Sequence, residues 1–395
     1  MTEHSKGNHL EVVLQRIGSE SFEAVRAREK STFAKFAGQN EERLILFGAG
    51  QLGRLVLQGF EHAGIRPIAL ADNNDRLWHT EIGGVPVLPP STAADRYRDS
   101  GCFVVTIYNG SPARRQLNAL GCKHVAPFAA LFWRYVDVFT PNFGIDLPHK
   151  LLAYGDEIRA CREVLGDEDS RSELAGQLEW RYWLKDDSLP PPLDPTGTYF
   201  PMDLIVPSED EVFVDCGSFQ GDILPNFNSY WKGRFQHIFA LEPDPLNRAA
   251  LEATTKSMGL ENRVSVIPYA VGEQNGLVSF ASTGTVTSQI VDAGERSLSV
   301  ECRRLDDISW PLTPTYIKMD IEGAEPRAIV GATELLRRHH PILAVCTYHR
   351  TEHLWQIPNL IRSIAPEYNL FLRRYAEECW EGVCYAIPDH RLRRA

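Results

Sequence analysis

The sequence predicts an α/β protein with two parallel-sheet domains that are joined by a helical linker. Two stretches, residues 41–130 and 196–395, alternate buried-strand patterns with helical patterns, and each begins with a strand that breaks into glycine. This alternation is typical of a parallel sheet covered by helices. A chain of 395 residues also exceeds what one hydrophobic core usually serves, so two domains are expected.

The N-terminal segment is polar, but its apolar residues recur at helical spacing. Val13, Ile17 and Phe33 belong to this pattern, which predicts N-terminal helices over 1–40. RLILFGAG follows at 43–50, and it is an apolar run of strand length that ends in glycine. We therefore expect the N-terminal helices to pack against a sheet that begins here.

The first domain contains a glycine-rich loop between a strand and a helix. FGAGQLG supplies Gly48, Gly50 and Gly53 in the spacing Gly-x-Gly-x-x-Gly, and Asp72 closes the next strand. Such glycines permit the turn, the approach of a phosphate and close helix packing, while the acid can bind a ribose. The sequence therefore predicts a Rossmann-like nucleotide-binding domain over 41–130.

Two uses of this first domain are open from the sequence. It either binds a nucleotide or nucleotide-sugar, with Asp72 on the ribose, or it serves docking or assembly without a ligand. The stretch DNNDRLWHTEIGGVPVLPP resembles the nucleotide-binding N-terminal domain of sugar acetyltransferases. A nicotinamide-dependent oxidoreductase or epimerase of nucleotide-sugars is one alternative function, although the chain lacks the Tyr-x-x-x-Lys pair of a common dehydrogenase class.

Residues 131–195 differ in sequence pattern from both domains and are predicted to form a helical linker. LFWRYVDVF and SELAGQLEWRYWL have helical patterns rich in aromatic residues, and LPPPLDPTG is a proline-dense break. Trp133, Trp180 and Trp183 are candidates either for core packing or for a homo-oligomer interface.

The second domain begins with VFVDCGSFQGD, which predicts a strand, a glycine turn and a helix. Asp215, Gly217 and Gly221 lie in the turn, and Glu242 follows the next strand in ALEPDP. Glycines allow a ligand to approach the backbone, and a carboxylate in the position of Glu242 can accept hydrogen bonds from both ribose hydroxyls. Together these features predict an adenosine site at the carboxyl ends of the strands.

YIKMDIEGAE predicts the fourth strand of this sheet, followed by two acids. Asp320 and Glu322 are two residues apart, so they share one face and point toward the same crevice. We expect Lys318 to be a solvated flanking residue and Glu325 to be an exposed acid at a helix start.

These segments resemble the FkbM-type family of class I S-adenosylmethionine-dependent methyltransferases. The resemblance is carried in order by VFVDCGSFQGD, ALEPDP, VIPYAVGEQNG, RRLDDI and IKMDIEGAEPRAIVGATELL. It implies a seven-stranded sheet over 196–395 and O-methylation of a saccharide, a glycan precursor or a related natural product. One departure is the turn with Cys216 and Ser218–Phe219–Gln220, where the family commonly has Gly-Ala-Asn-like residues. Acceptor choice is expected from loops and from a hairpin insertion near GTVTSQI.

The resemblance also implies roles for single residues. S-adenosylmethionine is expected to contact Asp215, Gly217, Ser218, Phe219, Gly221, Glu242, Pro243, Asp244, Tyr269, Ala270, Val271 and Asp320. His349, after the fifth strand, is the favoured general base, with Asp320 or Glu322 as alternatives. The two acids could also hold a divalent cation, but two carboxylates do not establish a site, and no metal is predicted.

Composition argues against several classes of partner. A net charge of −11 disfavours nonspecific binding to nucleic acid or anionic membranes, which requires a basic surface. No apolar run approaches the roughly 20 residues that span a bilayer, so no membrane span is predicted. Eight scattered cysteines without a His/Cys cluster predict a reducing, cytoplasmic setting. A non-catalytic assembly protein is the last alternative.

Overall fold

The computed structural model describes residues 9–281, 289–290 and 298–393. Within this part of the chain it has a six-stranded, a seven-stranded and a four-stranded sheet, together with helices. The mixed α/β class is therefore confirmed, while the boundaries near 40, 130 and 195 stay predictions. The first eight residues of the predicted N-terminal helices, most of GTVTSQI and the last two residues lie outside the described residues.

The first sheet has six short strands, most of which are apolar and buried. In chain order these strands are β1 Leu44–Phe47, β2 Ala69–Ala71, β3 Glu81–Ile82, β4 Val85–Leu88, β5 Cys102–Val105 and β6 Val125–Pro127. Their spatial order is β3-β4-β2-β1-β5-β6, and all neighbours are parallel except β3 and β4. Continuous apolar runs such as LILF in β1 suit a parallel sheet with both faces covered.

Nine helices precede the second sheet in the described part of the chain. They are α1 His9–Ser19, α2 Phe22–Ala37, α3 Gln51–His62, α4 Pro90–Tyr97, α5 Ser111–Ala119, α6 Phe128–Arg134, α7 Val136–Phe139, α8 Gly155–Val164 and α9 Glu168–Trp183. Asp167 caps α9 by accepting a hydrogen bond from the Ser170 amide at 2.9 Å. The predicted linker is thus helical.

Helix α9 contributes side chains to the cores of both sheets. Leu174, Leu178 and Tyr182, which recur at helical spacing, pack in the core of the second sheet, and Trp180 packs in the core of the first. Trp133 and Trp180 are 3% and 1% exposed, so core packing is confirmed for both. Trp183 is half-buried, with the Arg16 guanidinium 4.3 Å from the centre of its ring.

The second sheet has seven strands, six of which run in the same direction. They are β7 Val212–Cys216, β8 His237–Leu241, β9 Val264–Ile267, β14 Tyr316–Met319, β15 Ile342–Cys346, β16 Asn369–Arg374 and β17 Gly382–Ile387. The spatial order is β16-β17-β15-β14-β7-β8-β9, with β17 antiparallel to both of its neighbours. Its helices are α10 Leu224–Tyr230, α11 Pro245–Ser257, α12 Glu325–Val330, α13 Thr333–His339 and α14 His353–Ile364.

The predicted third strand, RVSVIPYAVG, is divided between two sheets. Val264–Ile267 forms β9, whereas Ala270–Val271 forms β10 in the four-stranded sheet. Pro268 lies between them, and it lacks the amide N–H that a continuing ladder would require. The predicted hairpin is confirmed, because β11 Gly276–Ala281 pairs antiparallel with β13 Leu298–Arg303. The fourth strand of this sheet is β12 Gln289–Ile290.

The loop between β16 and β17 joins the two halves of the molecule. Arg114 on α5 donates to the buried carboxylate of Glu378 at 2.7 Å. Trp380 belongs to the core of the first sheet and packs against Tyr108, with ring centres 4.9 Å apart. The carboxyl ends of both sheets are thereby held close to one another. Among the described helices, none is both long and apolar enough to cross a membrane.

Candidate functional site

A cavity of about 560 Å³ lies at the carboxyl ends of β7, β8, β14 and β15. Most of its lining comes from the second half of the chain, but Gln51, Tyr108 and Phe143 come from the first half and the linker. The lining includes many of the residues predicted from sequence, namely Gly217, Phe219, Glu242, Pro243, Tyr269, Ala270, Val271, Asp320, Glu322 and His349. This is the edge of an open α/β sheet where ligands bind.

The glycine turn after β7 packs directly against the end of β14. Gly217 has φ 78°, and a Cβ there would lie 2.0 Å from the Asp320 carbonyl oxygen. Gly221 has φ 80°, and its own Cβ would meet Leu251 at 2.9 Å, away from the cavity lining. The first glycine therefore permits the close approach of two strand ends, and the second permits the helix to turn away.

Glu242 is held at the end of β8 by two backbone amides. Its Oε2 accepts a hydrogen bond from the Phe219 N–H at 2.9 Å, and its Oε1 accepts one from the Asp244 N–H at 2.8 Å. Burial raises the pKa of Glu242 to about 7, although these two hydrogen bonds act in the opposite direction. A carboxylate has about four acceptor positions, so it can still accept hydrogen bonds from a ligand.

Besides Gly221, three residues predicted to contact the cofactor do not line the cavity. The carboxylate of Asp244 caps α11 by accepting from the Leu246 amide at 2.9 Å. The hydroxyl of Ser218 donates to the Asp215 carbonyl oxygen at 2.8 Å, and the carboxylate of Asp215 is fully buried. The structure thus gives these side chains supporting positions beneath the site, at the turn and the helix start.

The expectation that Lys318 is solvated is wrong. Its side chain is 2% exposed, and its Nζ lies 3.0 Å from Asp215 Oδ1 and donates to the Gly217 carbonyl oxygen at 2.8 Å. Burial alone would lower the pKa of Lys318, but the charges of Asp215 and Asp320 outweigh burial and raise it. A lysine inside a central strand of a parallel sheet is buried on either face, and this position could have indicated a charged partner.

The expectation that Glu325 is an exposed helix-start acid is also wrong. Glu325 is fully buried, and its Oε1 accepts from the Ile321 amide at 2.9 Å and from the ring Nδ1–H of His349 at 2.8 Å. His353 lies 3.3 Å from the other carboxylate oxygen. Burial opposes ionisation, but the two histidines hold the pKa of Glu325 below its usual value. This side chain fixes the loop after β14 and orients His349.

His349 is surrounded by carboxylates on both sides of its ring. While Nδ1 bonds to Glu325, Nε2 lies 3.3 Å from Asp320 Oδ1 and 3.7 Å from Glu322 Oε2. Burial opposes the charged ring, but Glu325 and Asp320 raise the pKa of His349 well above its usual value. Nδ1 is therefore occupied by Glu325, whereas Nε2 lies near two carboxylates without a hydrogen bond among the described residues, and the role of His349 as general base stays a prediction.

Asp320 and Glu322 face the same cavity but differ in ionisation. Burial opposes ionisation of Asp320, but the His349 ring, 3.3 Å away, and the charge of Lys318 lower its pKa, and Tyr199 donates to its Oδ2 at 2.8 Å. Burial raises the pKa of Glu322 to about 8, and the charge of Asp320 adds to this effect. The carboxylates of Asp320 and Glu322 thus line the same cavity, as predicted, but their pKa values are shifted in opposite directions.

Backbone strain is concentrated around this cavity. Five of the nine non-glycine residues with positive φ among the described residues line it, namely Phe143, Tyr199, Phe219, Glu322 and Glu381. Such conformations cost on the order of 1–3 kcal/mol each and persist where the surroundings enforce them, often at binding sites. The strain supports the assignment of this cavity as the functional site.

Aromatic side chains that the sequence analysis did not single out form one wall of the cavity. Tyr108, Phe143, Tyr348 and Trp380 are members of this wall, and the ring centres of Tyr108 and Phe143 are 5.6 Å apart. Tyr108 and Trp380 come from opposite parts of the chain, so no local pattern indicates that they meet.

The glycine loop of the first half approaches the same cavity. Asp72 Oδ2 accepts from the Ala49 N–H at 2.6 Å and Oδ1 accepts from the Asn74 N–H at 2.7 Å, an arrangement that matches the two bonds of Glu242. A Cβ on Gly53 would lie 1.9 Å from the Gly48 carbonyl oxygen, whereas a Cβ on Gly50 would meet no atom within 4 Å. Gln51, which follows Gly50, lines the cavity.

Comparison with known proteins finds a family similarity within the second half of the chain. Residues 215–379 match the sequence model of the family described as "Methyltransferase FkbM domain". No curated protein sequence matches the chain significantly.

Solved structures give the same result for the fold. The crystal structure of methyltransferase FkbM from Methylobacillus flagellatus KT aligns with TM-score 0.71 and 23% identity, over 93% of this chain and 99% of that chain. At this identity the likeness shows the fold alone, and it extends over both halves. A putative rRNA-methylase from Clostridium thermocellum aligns with TM-score 0.31 and 12% identity, over 48% of this chain and 91% of its own, which is too distant to support an argument.

Proposed function

We propose that this protein is an S-adenosylmethionine-dependent O-methyltransferase that acts on a hydroxyl group of a saccharide, a glycan precursor or a related natural product. The observation that carries the proposal is a single cavity that unites Glu242 and the glycine turn with a carboxylate–histidine cluster and an aromatic wall. The match of residues 215–379 to a methyltransferase domain supports it. The cavity volume of about 560 Å³ lies within the roughly 300–1,000 Å³ of small-molecule sites.

The residues around the glycine turn fit the cofactor. Glu242 would bind the ribose hydroxyls, because its carboxylate faces the cavity and is already fixed by two amides. Tyr269, Ala270 and Val271 would flank the adenine ring, and the backbone at Gly217 would lie near the methionine portion. S-adenosylmethionine supplies a methyl group on a positively charged sulfur, so its transfer to a hydroxyl breaks the carbon–sulfur bond and releases one proton.

The remaining task of the chain is to align the acceptor and to accept its proton. Alignment contributes up to roughly 7–11 kcal/mol in favourable cases, and a general base contributes about 10²–10⁴-fold. We assign the proton to the carboxylate of Glu381, which lines the cavity. Burial and the charge of Asp320 raise the pKa of Glu381 to about 7, which is suitable for a base at neutral pH.

The chemistry of the cavity wall favours a saccharide as the acceptor. Sugar rings present C–H groups on their faces, which pack on the negative faces of aromatic rings, and hydroxyls at their edges, which donate to carboxylates. Tyr108, Tyr348 and Trp380 offer such rings, and Asp222 and Glu322 offer carboxylates in the same cavity. This combination is the second reason to propose a hydroxyl acceptor.

The acceptor class that we favour is a nucleotide-linked sugar. Gly48, Gly50 and Asp72 would hold its nucleotide, because Asp72 repeats the two-amide arrangement of Glu242 and Gln51 borders the cavity. If the nucleotide binds to this loop, the sugar linked to it would face the aromatic wall. Gly53 would instead allow the helix after the loop to pack closely against the backbone of Gly48.

Incubation of the full chain with isotopically labelled S-adenosylmethionine and a panel of nucleotide-sugars, free sugars and glycans tests the proposal. We expect mass spectrometry to detect the gain of one labelled methyl group on a hydroxyl of a nucleotide-sugar. The variant Glu381→Gln should lower turnover by about 10²–10⁴-fold while the affinity for S-adenosylmethionine stays unchanged. A product methylated on nitrogen or carbon would contradict the assignment of the acceptor.

A further inference from the structure

Three side chains from two strand ends converge on one point of the cavity. Asp320 and Glu322 follow β14, and His349 follows β15, and all three line the cavity. We propose that Asp320 Oδ1, Glu322 Oε2 and His349 Nε2 bind a divalent transition-metal ion. Two carboxylate oxygens and one imidazole nitrogen form a mixed donor set that suits ions such as Mn²⁺, Fe²⁺ or Zn²⁺.

The spacing of His349 Nε2 from the two carboxylate oxygens fits coordination better than hydrogen bonding. His349 Nε2 lies 3.3 Å from Asp320 Oδ1 and 3.7 Å from Glu322 Oε2. Charge-assisted N–H···O bonds are shorter, at about 2.7–2.9 Å. Ligand atoms that are each about 2.0–2.2 Å from a metal lie roughly 3.0–3.6 Å apart at angles between octahedral and tetrahedral. Glu322 would move toward Asp320 to close the set, because among the described residues the carboxylates grouped with His349 within 4.8 Å are those of Asp320 and Glu325.

The three atoms also lack hydrogen-bond partners within the described residues. Asp320 Oδ1, Glu322 Oε2 and His349 Nε2 are all buried and make no hydrogen bond there. His349 is 2% exposed, so its free nitrogen is nearly inaccessible to bulk solvent and points between the two carboxylates. A buried polar atom without a partner is costly, and a bound cation would satisfy all three atoms at once.

Glu325 is positioned to hydrogen-bond to the metal-binding histidine and not to bind the metal itself. One atom each of Asp320, Glu325 and His349 lies within 4.8 Å of the other two, but Glu325 does not line the cavity. Its Oε1 already accepts from the Ile321 amide and from His349 Nδ1–H at 2.8 Å. A histidine that binds a metal usually donates its other ring N–H to such a carboxylate, which fixes the tautomer and the ring.

The negative charge of the cavity favours binding of a divalent cation. Asp222, Asp320, Glu322 and Glu381 all line this end of the cavity, while Lys318 is the lysine that neighbours them. Because like charges in a buried site repel, two added positive charges would stabilise the ionised carboxylates. The ion would border the open cavity, where it can bind a substrate oxygen and orient it. This last role rests on the proposed function, whereas the site itself does not.

Metal binding by the full chain, measured without S-adenosylmethionine, tests the site. After removal of metal with a chelator, Mn²⁺ is titrated and free Mn²⁺ is followed by electron paramagnetic resonance. We expect one equivalent to bind, with a loss of affinity of at least tenfold in Asp320→Asn and in His349→Gln. Glu325→Gln should weaken binding by about 10–100-fold, as outer partners do.

Asp222→Asn is the matched control, because it removes a carboxylate of the same cavity that is not assigned as a ligand, and it should weaken Mn²⁺ binding much less than the loss of a ligand does. Circular dichroism verifies that each variant is folded. If one variant is not folded, the absorption spectrum of Co²⁺ bound to the wild-type chain gives a second measure of the ligands. Absence of stoichiometric binding to the wild-type chain, or equal binding by all variants, would overturn the site. Intact Mn²⁺ binding without affinity for S-adenosylmethionine would instead contradict only the proposed function.

Discussion

Lys318 and Asp215 face each other across β14 and β7, with Nζ 3.0 Å from Oδ1 and with both side chains buried. The same ammonium group donates to the carbonyl oxygen of Gly217, so the ion pair and the glycine turn are one unit. A buried charge without its partner is strongly destabilising, whereas a buried pair is close to neutral relative to uncharged residues.

We expect Lys318→Met to lower the free energy of unfolding by about 3–5 kcal/mol, because Asp215 would be left as an uncompensated buried charge. The double variant Lys318→Met with Asp215→Asn should recover most of this loss. Denaturant unfolding of the wild type, both single variants and the double variant measures the coupling. Strictly additive effects of the two substitutions would contradict the buried ion pair.

Binding of S-adenosylmethionine should depend on pH through Glu242. Burial raises the pKa of this carboxyl to about 7, so it is ionised above that pH and increasingly protonated below it. Because the ionised form accepts hydrogen bonds from the ribose, affinity should be constant near pH 8 and fall up to about tenfold per pH unit below 7.

Calorimetry from pH 6 to pH 8 measures this dependence, and Glu242→Gln, which cannot ionise, is the control that should give a much flatter profile. The nearby charges of Asp244 and Lys318 act on the same carboxyl in opposite directions. A wild-type profile as flat as that of the variant would exclude Glu242 as the titrating ligand.

Two glycines of the first loop should respond differently to alanine. Gly53→Ala would place a Cβ 1.9 Å from the Gly48 carbonyl oxygen and should destabilise the fold by about 1–3 kcal/mol or more. Gly50 has φ −73° and open space around its Cβ position, so Gly50→Ala should change the free energy of unfolding by less than about 0.5 kcal/mol.

The folded Gly50→Ala variant then tests the acceptor. A methyl group at this position would block the approach of a phosphate, so the KM for a nucleotide-sugar should rise while the Kd for S-adenosylmethionine stays constant. Unchanged kinetics with every nucleotide-sugar would argue that this loop binds no part of the acceptor.

Tyr108 should contribute to acceptor binding through its ring. Tyr108→Leu removes an aromatic face from the cavity wall, and we expect the acceptor KM to rise by about two- to tenfold, which corresponds to roughly 0.5–1.5 kcal/mol. Tyr108→Phe keeps the ring and loses only the hydroxyl that donates to Asn142 at 3.3 Å, so it should behave as the wild type. Steady-state kinetics with saturating S-adenosylmethionine distinguishes the two variants, and equal KM values would remove Tyr108 from the acceptor site.

The sequence predicted the parts of the fold that depend on local pattern. Apolar runs that end in glycine, such as the strands before Gly48 and Gly217, indicated two α/β units, and the aromatic helix α9 was recognised as helical. The division of RVSVIPYAVG at Pro268 follows from the chemistry of proline but was missed, because both parts have strand propensity.

The site was less accessible to sequence analysis, because charged residues look solvated until their partners are known. Lys318 and Glu325 are buried only because Asp215 and His349, which are distant in sequence, supply opposite charges. The meeting of Tyr108 with Trp380 depends on how the two halves pack, which no local period encodes.

Titration of S-adenosylmethionine into the wild-type chain, Glu242→Gln and Asp72→Asn tests the central claim most directly. Each variant removes the charge of a carboxylate that accepts hydrogen bonds from two backbone amides, Glu242 in the second half of the chain and Asp72 in the first. We predict that the wild type and Asp72→Asn bind one equivalent with equal affinity and that Glu242→Gln binds at least tenfold more weakly. No binding to the wild type, or a loss in Asp72→Asn with none in Glu242→Gln, would contradict the account.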